Sequence, residues 1–306
     1  MGDAGIATAQ ALRLHNELHV ISITFLYWDH LLTFGDEVQF LWRKTKTRSA
    51  YYFFLNRYLA CFGNVVITVF QFTAMPISVC PHINLFRQLL LVLTQCIVSV
   101  LLTLRIYALY SRRVYLGMLG FAAVLLGLSC WALIGRRGGV PEPNAIGCHI
   151  ANSRKIGVYT AVPWEALLIY DLVIFVALFH KSLQKRRVFR ALRRSNVMLS
   201  VLMRDGAIYF VIMTLVNLGN IITFYIAPPL LRGGLSTMAS CMSVTMTSRL
   251  MLNLHTVDRA GVFSATSRIN SSLEFGSGDV ELDTLRTRDL EWSAPGPAHV
   301  PPSEPE

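Results

Sequence analysis

Seven stretches of mainly apolar residues, each about 20 long or longer, dominate this chain: Leu18 to Phe40, Tyr51 to Met75, Leu85 to Tyr110, Val114 to Ile134, Val158 to His180, Gly206 to Ala227 and Leu235 to Leu254. A bilayer core of about 30 Å is crossed by roughly 20 helical residues. Backbone donors and acceptors in lipid must be satisfied within the segment, and no strand-length alternation is visible, so each stretch reads as a helix. The fold class expected is all-α, a seven-transmembrane-helix bundle. Only 15% of the 306 residues are charged, against about 25% in a soluble domain, which excludes an ordinary water-soluble globule. The first stretch holds His19, Asp29 and His30, and the last is rich in Ser, Thr and Gly. Such small residues let helices approach closely, so the last span is expected inside the bundle. Arg13 is the one Lys or Arg ahead of the first span and no small-residue cleavage site follows that span, which reads as a signal anchor.

Lys and Arg set the orientation. The loops between spans one and two, three and four, and five and six carry 14 of them, while the opposite side carries at most seven. By the positive-inside rule the N-terminus faces out and the C-terminus faces the cytoplasm. Residues 1–17 are then an extracytoplasmic N-terminus and 18–256 the membrane domain, with the plasma membrane the expected location. Residues 257–306, with nine acids, four bases and five prolines, are expected to form a disordered acidic cytoplasmic tail. The formal charge of +10 divides into +15 over residues 1–256 and −5 beyond, so it maps loops and needs no nucleic acid.

Of six cysteines, Cys61, Cys96, Cys130 and Cys241 fall inside spans. Cys80 and Cys148 alone lie in outward loops, where oxidation is favoured, and a bridge between them is expected, against two free thiols.

Ionisable residues within spans are expensive and are functional candidates by default. Asp29, Arg57, Arg105, Asp171, Asp205 and Arg249 all fall in the cytoplasmic half, three bases against three acids. Asp29 and Arg57 lie at similar depth and could pair. The cluster reads either as a polar latch or hydrated vestibule that works when the bundle changes state, or as static charges that orient helices and snorkel. Glu165, just after Pro163 and Trp164, sits alone in the outer half, and Pro163 is expected to end a helix.

Tyr27 to Asn64 reads YWDHLLTFGDEVQFLWRKTKTRSAYYFFLNRYLACFGN, and further motifs are LRIYALYSRR (Leu104 to Arg113), RDGAIYF (Arg204 to Phe210), the Asn217 and Asn220 pair and SRLMLNLH (Ser248 to His255). These resemble a family of multi-pass membrane proteins of mushroom-forming (basidiomycete) fungi that begin with a domain of unknown function. The resemblance covers most of residues 20–256. It implies a seven-span topology and no assigned activity. A basic residue is expected where this chain has His255.

Catalytic signatures are missing: no H-E-x-x-H, no histidine box, no G-x-S-x-G and no phosphate-binding glycine loop. No enzyme, cofactor or metal is expected. Span seven has no lysine for a retinal Schiff base, and no internal repeat of transporter type is evident. Lys181 to Arg194 holds seven positive charges and no acid, which suits anionic inner-leaflet lipid or a cytosolic protein, or simply fixes topology. The functional expectation is a receptor-like or sensory membrane protein; the alternatives are a transporter or channel using the Asp/Arg cluster, and a membrane scaffold.

Overall fold

The computed structural model of the chain describes residues 2–42, 48–134, 140–141, 147–191 and 197–253. These form seven helices: α1 (Gly2–Glu37), α2 (Arg48–Phe72), α3 (Cys80–Leu109), α4 (Arg112–Ile134), α5 (Arg154–Ala191), α6 (Val197–Ile226) and α7 (residues 236–253). A π-helical turn, Val38–Trp42, continues α1, and a 3-10 turn, Ile77–Val79, precedes α3. Between α4 and α5 a two-residue strand, β1 (Val140–Pro141), pairs antiparallel with β2 (Ile150–Ala151). The tail and the side chains from Lys185 to Asp205 lie outside the described residues, as does His255.

Five helices are long and apolar enough to cross a membrane: Ser49–Phe72, Ile77–Tyr107, Arg112–Ala132, Arg154–Lys181 and Gly206–Ile226. The two that fall short, α1 and α7, do so for a shared reason. Along α1 the buried positions are His19, Ser22, Leu26, Asp29, Thr33 and Glu37, spaced three or four apart as one helix face requires. That face is mostly polar, while Val20, Ile21, Trp28, Leu31 and Leu32 are exposed. The helix is amphipathic in the inverted sense, with its polar side inward. In α7, Ser236, Thr237, Ser240, Ser243, Thr245, Thr247 and Ser248 are all buried, and the helix is enclosed by the others. At the other extreme α4 exposes Val114, Leu116, Leu119, Val124, Leu126, Leu128 and Trp131. A water-soluble protein rarely leaves so continuous an apolar exterior, whereas lipid is the solvent that favours it. The chain is an integral membrane protein.

One core draws on every helix: Leu26, Ala60, Val98, Leu102, Met118, Ile174, Phe210, Met213, Cys241, Val244 and Leu250 among its members. Polar contacts fix the register. Thr94 of α3 meets Ser240 of α7 at 3.1 Å, and Thr103 of α3 meets Tyr170 of α5 at 2.6 Å. Tyr110 Oη donates to the Ala177 carbonyl at 2.8 Å. In a membrane bundle such bonds contribute about 0.6 kcal/mol each and act mainly to select one alignment.

Cys80, the first residue of α3, is joined by a disulfide to Cys148, just ahead of β2, with Cα atoms 5.3 Å apart. The preceding Gly147 has φ +86° and its Cα lies so close to α2 that a Cβ would meet the Gln71 carbonyl oxygen at 1.8 Å, so no side chain fits. Asn152 N–H donates to the Pro229 carbonyl, and Arg232 donates to the Asn152 carbonyl at 2.9 Å, binding the loop before α5 to the turn before α7. This is the disulfide end of the bundle.

Two expectations about α5 are corrected. Pro163 lies inside the helix, because α5 begins at Arg154, well ahead of the apolar run. The segment from Lys181 onward does not start as a loop: the α5 backbone stays helical to Ala191. Its 38 residues extend about 57 Å, nearly twice a bilayer core. The basic end therefore projects beyond the apolar slab.

Candidate functional site

Away from the disulfide end, α1, α2 and α7 meet around four charged residues. Arg57 of α2 and Glu37 of α1 face each other with Nε 2.8 Å from Oε2, their side chains 1% and 0% exposed. Glu37 Oε1 accepts from Tyr58 Oη at 2.8 Å and from Trp42 Nε1 at 3.1 Å. The π-helical turn makes the second contact possible, since its i to i+5 spacing brings Trp42 back over Glu37. Arg57 Nη2 donates to the His30 carbonyl at 2.8 Å, and the His30 ring nitrogens lie 2.9 Å from the Leu26 carbonyl and 3.1 Å from the Arg57 carbonyl, to one of which a neutral ring donates. The two helices are stitched together from both sides.

On the neighbouring face of α1, Asp29 Oδ1 accepts from Arg249 Nε of α7. Asp29 is 2% exposed, but the Arg249 side chain is 36% exposed. The second carboxylate oxygen of Asp29 has no hydrogen-bond partner. Asn56 of α2 reaches α7 more weakly, with Nδ2 at 3.5 Å from the Val244 carbonyl and from Ser248 Oγ. The arrangement thus contains one sealed ion pair and one whose cation touches the surroundings.

The pairing of Asp29 with Arg57 expected from depth is corrected, because depth is only one coordinate. Asp29 and Glu37 are eight residues apart, about 80° around the helix at 3.6 residues per turn. Glu37 faces α2 and Asp29 faces α7. Glu37 is the residue the sequence reading missed. Its signal was present in the spacing Asp29, Thr33, Glu37, which continues the buried stripe of α1.

The other candidates lie elsewhere. Asp171 of α5 is 3% exposed and neither carboxylate oxygen has a hydrogen-bond partner. Arg105 of α3 has its Nε and Nη2 buried without partners. The two form no ion pair with each other within 4 Å. Asp205 falls within α6, with its side chain outside the described residues. Asn217 and Asn220 are fully buried in α6; Asn220 Oδ1 accepts from Ser236 Oγ at 3.1 Å, whereas both amide atoms of Asn217 are unpartnered. Glu165 accepts from Tyr225 Oη of α6 and so joins two helices. Among the described residues no three His, Cys, Asp or Glu come together as a metal site would need.

The model of a family of unknown function, DUF6533, matches residues 18–62. That segment contains Asp29, His30, Glu37, Trp42, Asn56, Arg57 and Tyr58, which is the whole α1–α2 side of the polar cluster. No curated protein and no solved structure matches the chain.

Proposed function

We propose that the chain is a seven-span membrane protein, N-terminus outside and C-terminus cytoplasmic, with a receptor-like or sensory role in which the Asp29–Arg249 pair is the moving contact. The observation that carries this reading is the contrast between the two ion pairs. Opening Glu37–Arg57 would strand two charges with no route to water, at a cost on the order of 3–5 kcal/mol. Arg249, partly exposed, can exchange Asp29 for water or a headgroup, so opening this pair leaves one buried charge, Asp29, to be resolvated rather than two. The first pair holds α1 to α2 as one body, and the second lets α7 move against it. The orientation is supported by the count of basic residues and by the disulfide, which belongs on an oxidising side. The basic extension of α5 then enters the cytoplasm, where anionic lipid or a cytosolic protein meets it.

The test places single cysteines on α1 and α7 beside the pair and measures cross-linking in Asp29→Asn and Arg249→Gln. Both variants should stay folded and lower the cross-linking yield, and proximity labelling from the tail should recover a changed set of cytosolic proteins. Unchanged cross-linking and labelling in both variants would count against a moving contact.

A second reading, proton or solute transport, is favoured by Asp171, a buried carboxylate with no protein hydrogen bond. It requires that Asp171→Asn abolish flux in proteoliposomes while the protein still reaches the membrane.

A further inference from the structure

A cavity of about 360 Å³ lies between α3, α4 and α5, closed at the disulfide end by Phe224 and the turn bearing Arg232 and Gly233. Its size falls in the range of small-molecule sites. Val92 and Val100 of α3 and Leu119 and Leu126 of α4 line it and are all exposed, so the slot opens sideways between α3 and α4 toward the lipid. Most of the wall is apolar. From Arg87 at one end to Leu104 at the other the slot runs 17 residues of α3, about 25 Å.

Two features of this wall have no counterpart within the protein. Arg87 and Arg232 stand at the disulfide end, and among the described residues no acid lines the cavity. Arg87 reaches Thr237 Oγ1 only at 3.4 Å and its Nε is buried without a partner. Among the described residues Arg232 meets carbonyl oxygens, of Ala227 at 3.0 Å and Asn152 at 2.9 Å. A smaller cavity of about 40 Å³ shares Asn84, Arg87, Asn152 and Arg232 with the first and adds His15 and His149, again with no acid. Two guanidiniums with no counter-ion among the described residues, at the end of a mainly apolar slot, suit an anion. The second feature is Gln95, which lines the slot two turns along α3 from Arg87, is 8% exposed and has neither amide atom hydrogen-bonded. An unpartnered buried amide is costly, and a ligand oxygen would satisfy it.

We propose that this slot binds a single-chain carboxylate that carries a hydroxyl or carbonyl part-way along the chain and enters from the bilayer. The carboxylate sits on Arg87 and Arg232, the chain oxygen meets Gln95 about 12 Å away along α3, and the hydrocarbon packs between α3, α4 and α5. A two-chain phospholipid would need a second slot of the same depth. Calling this molecule a signal rests on the receptor-like reading; its binding does not.

The experiment uses the full-length protein in phosphatidylcholine nanodiscs, titrated with hydroxystearate bearing its hydroxyl near mid-chain, with stearate and with stearylamine. Hydroxystearate should bind saturably, stearate about tenfold or more weakly, and stearylamine not at all. Gln95→Leu should remove the preference between the two acids, and Arg87→Gln should weaken both about tenfold or more. Ala122→Trp should fill the slot from α4 and abolish binding while the Cys80–Cys148 bridge still forms; with Arg232→Gln it carries the test if Arg87→Gln does not fold. Equal binding of stearylamine, indifference to these substitutions, or no saturable binding overturns the proposal. So does displacement of the acid by phosphatidylglycerol nanodiscs, which would make the slot an ordinary lipid contact. Saturable binding that leaves the α1–α7 cross-link unchanged upholds the site and removes the receptor-like reading instead.

Discussion

Glu37 and Arg57 lie 2.8 Å apart across the α1–α2 interface with both side chains sealed from solvent. Glu37 is further held by Trp42 and Tyr58, and Arg57 by the His30 carbonyl, so neither charge depends on the other alone. A buried pair with this many supporting bonds fixes the alignment of two helices, because any sliding of α2 along α1 breaks several contacts at once.

Removing one member should therefore be worse than removing both. Glu37→Gln or Arg57→Gln should each destabilise the bundle by about 3–5 kcal/mol, while Glu37→Leu combined with Arg57→Leu should be less damaging than the sum of the single changes to Leu. Folded yield after detergent extraction and thermal unfolding measure this; strictly additive effects would argue that the two residues act separately.

The bridge from Cys80 to Cys148 closes a 68-residue separation. Losing it, by reduction or by Cys148→Ser, should lower stability by about 2–4 kcal/mol. In unreduced protein a thiol reagent should leave these two cysteines unmodified, and mass spectrometry before and after reduction reads that directly.

Gly147 should tolerate no replacement. Gly147→Ala adds a Cβ that overlaps the Gln71 backbone at a positive φ, so the loop must shift away from α2. The expected result is a slower or incomplete Cys80–Cys148 bridge, scored by alkylation, and normal bridging in this variant would contradict the packing.

Acidification should weaken the disulfide end. His15, ahead of the first apolar span, has its pKa lowered to about 3, by burial first and then by Arg87 and the neighbouring histidines. The unfolded chain takes up this proton near pH 6.5 and the folded one does not until about pH 3, so stability falls as pH drops through that window. His15→Gln should flatten the pH dependence of the melting temperature between those values, and an unchanged slope would show that His15 is not responsible.

How much of this was readable in advance differs between the exterior and the interior. Length and apolarity set the helices, because lipid imposes the same demand on every crossing segment. The Ser and Thr content of residues 236–253 marked α7 as an interior helix, since such a surface has nothing to gain from lipid. Depth along each span brought Asp29 and Arg249 to one level, where they pair.

Azimuth was beyond the sequence. Which face of α1 meets α2 and which meets α7 follows from how seven helices pack, and that packing gave Arg57 to Glu37 and Asp29 to Arg249. The slot lined by Arg87, Gln95 and Arg232 joins residues from separate parts of the chain, and no local pattern announces it. The sequence by itself determined that this chain lives in a membrane and that its last span packs inside the bundle, because suitability for lipid is decided by composition one segment at a time. Only the tertiary structure decided which buried charges meet and which polar groups remain without partners, because those depend on the rotation of each helix against its neighbours.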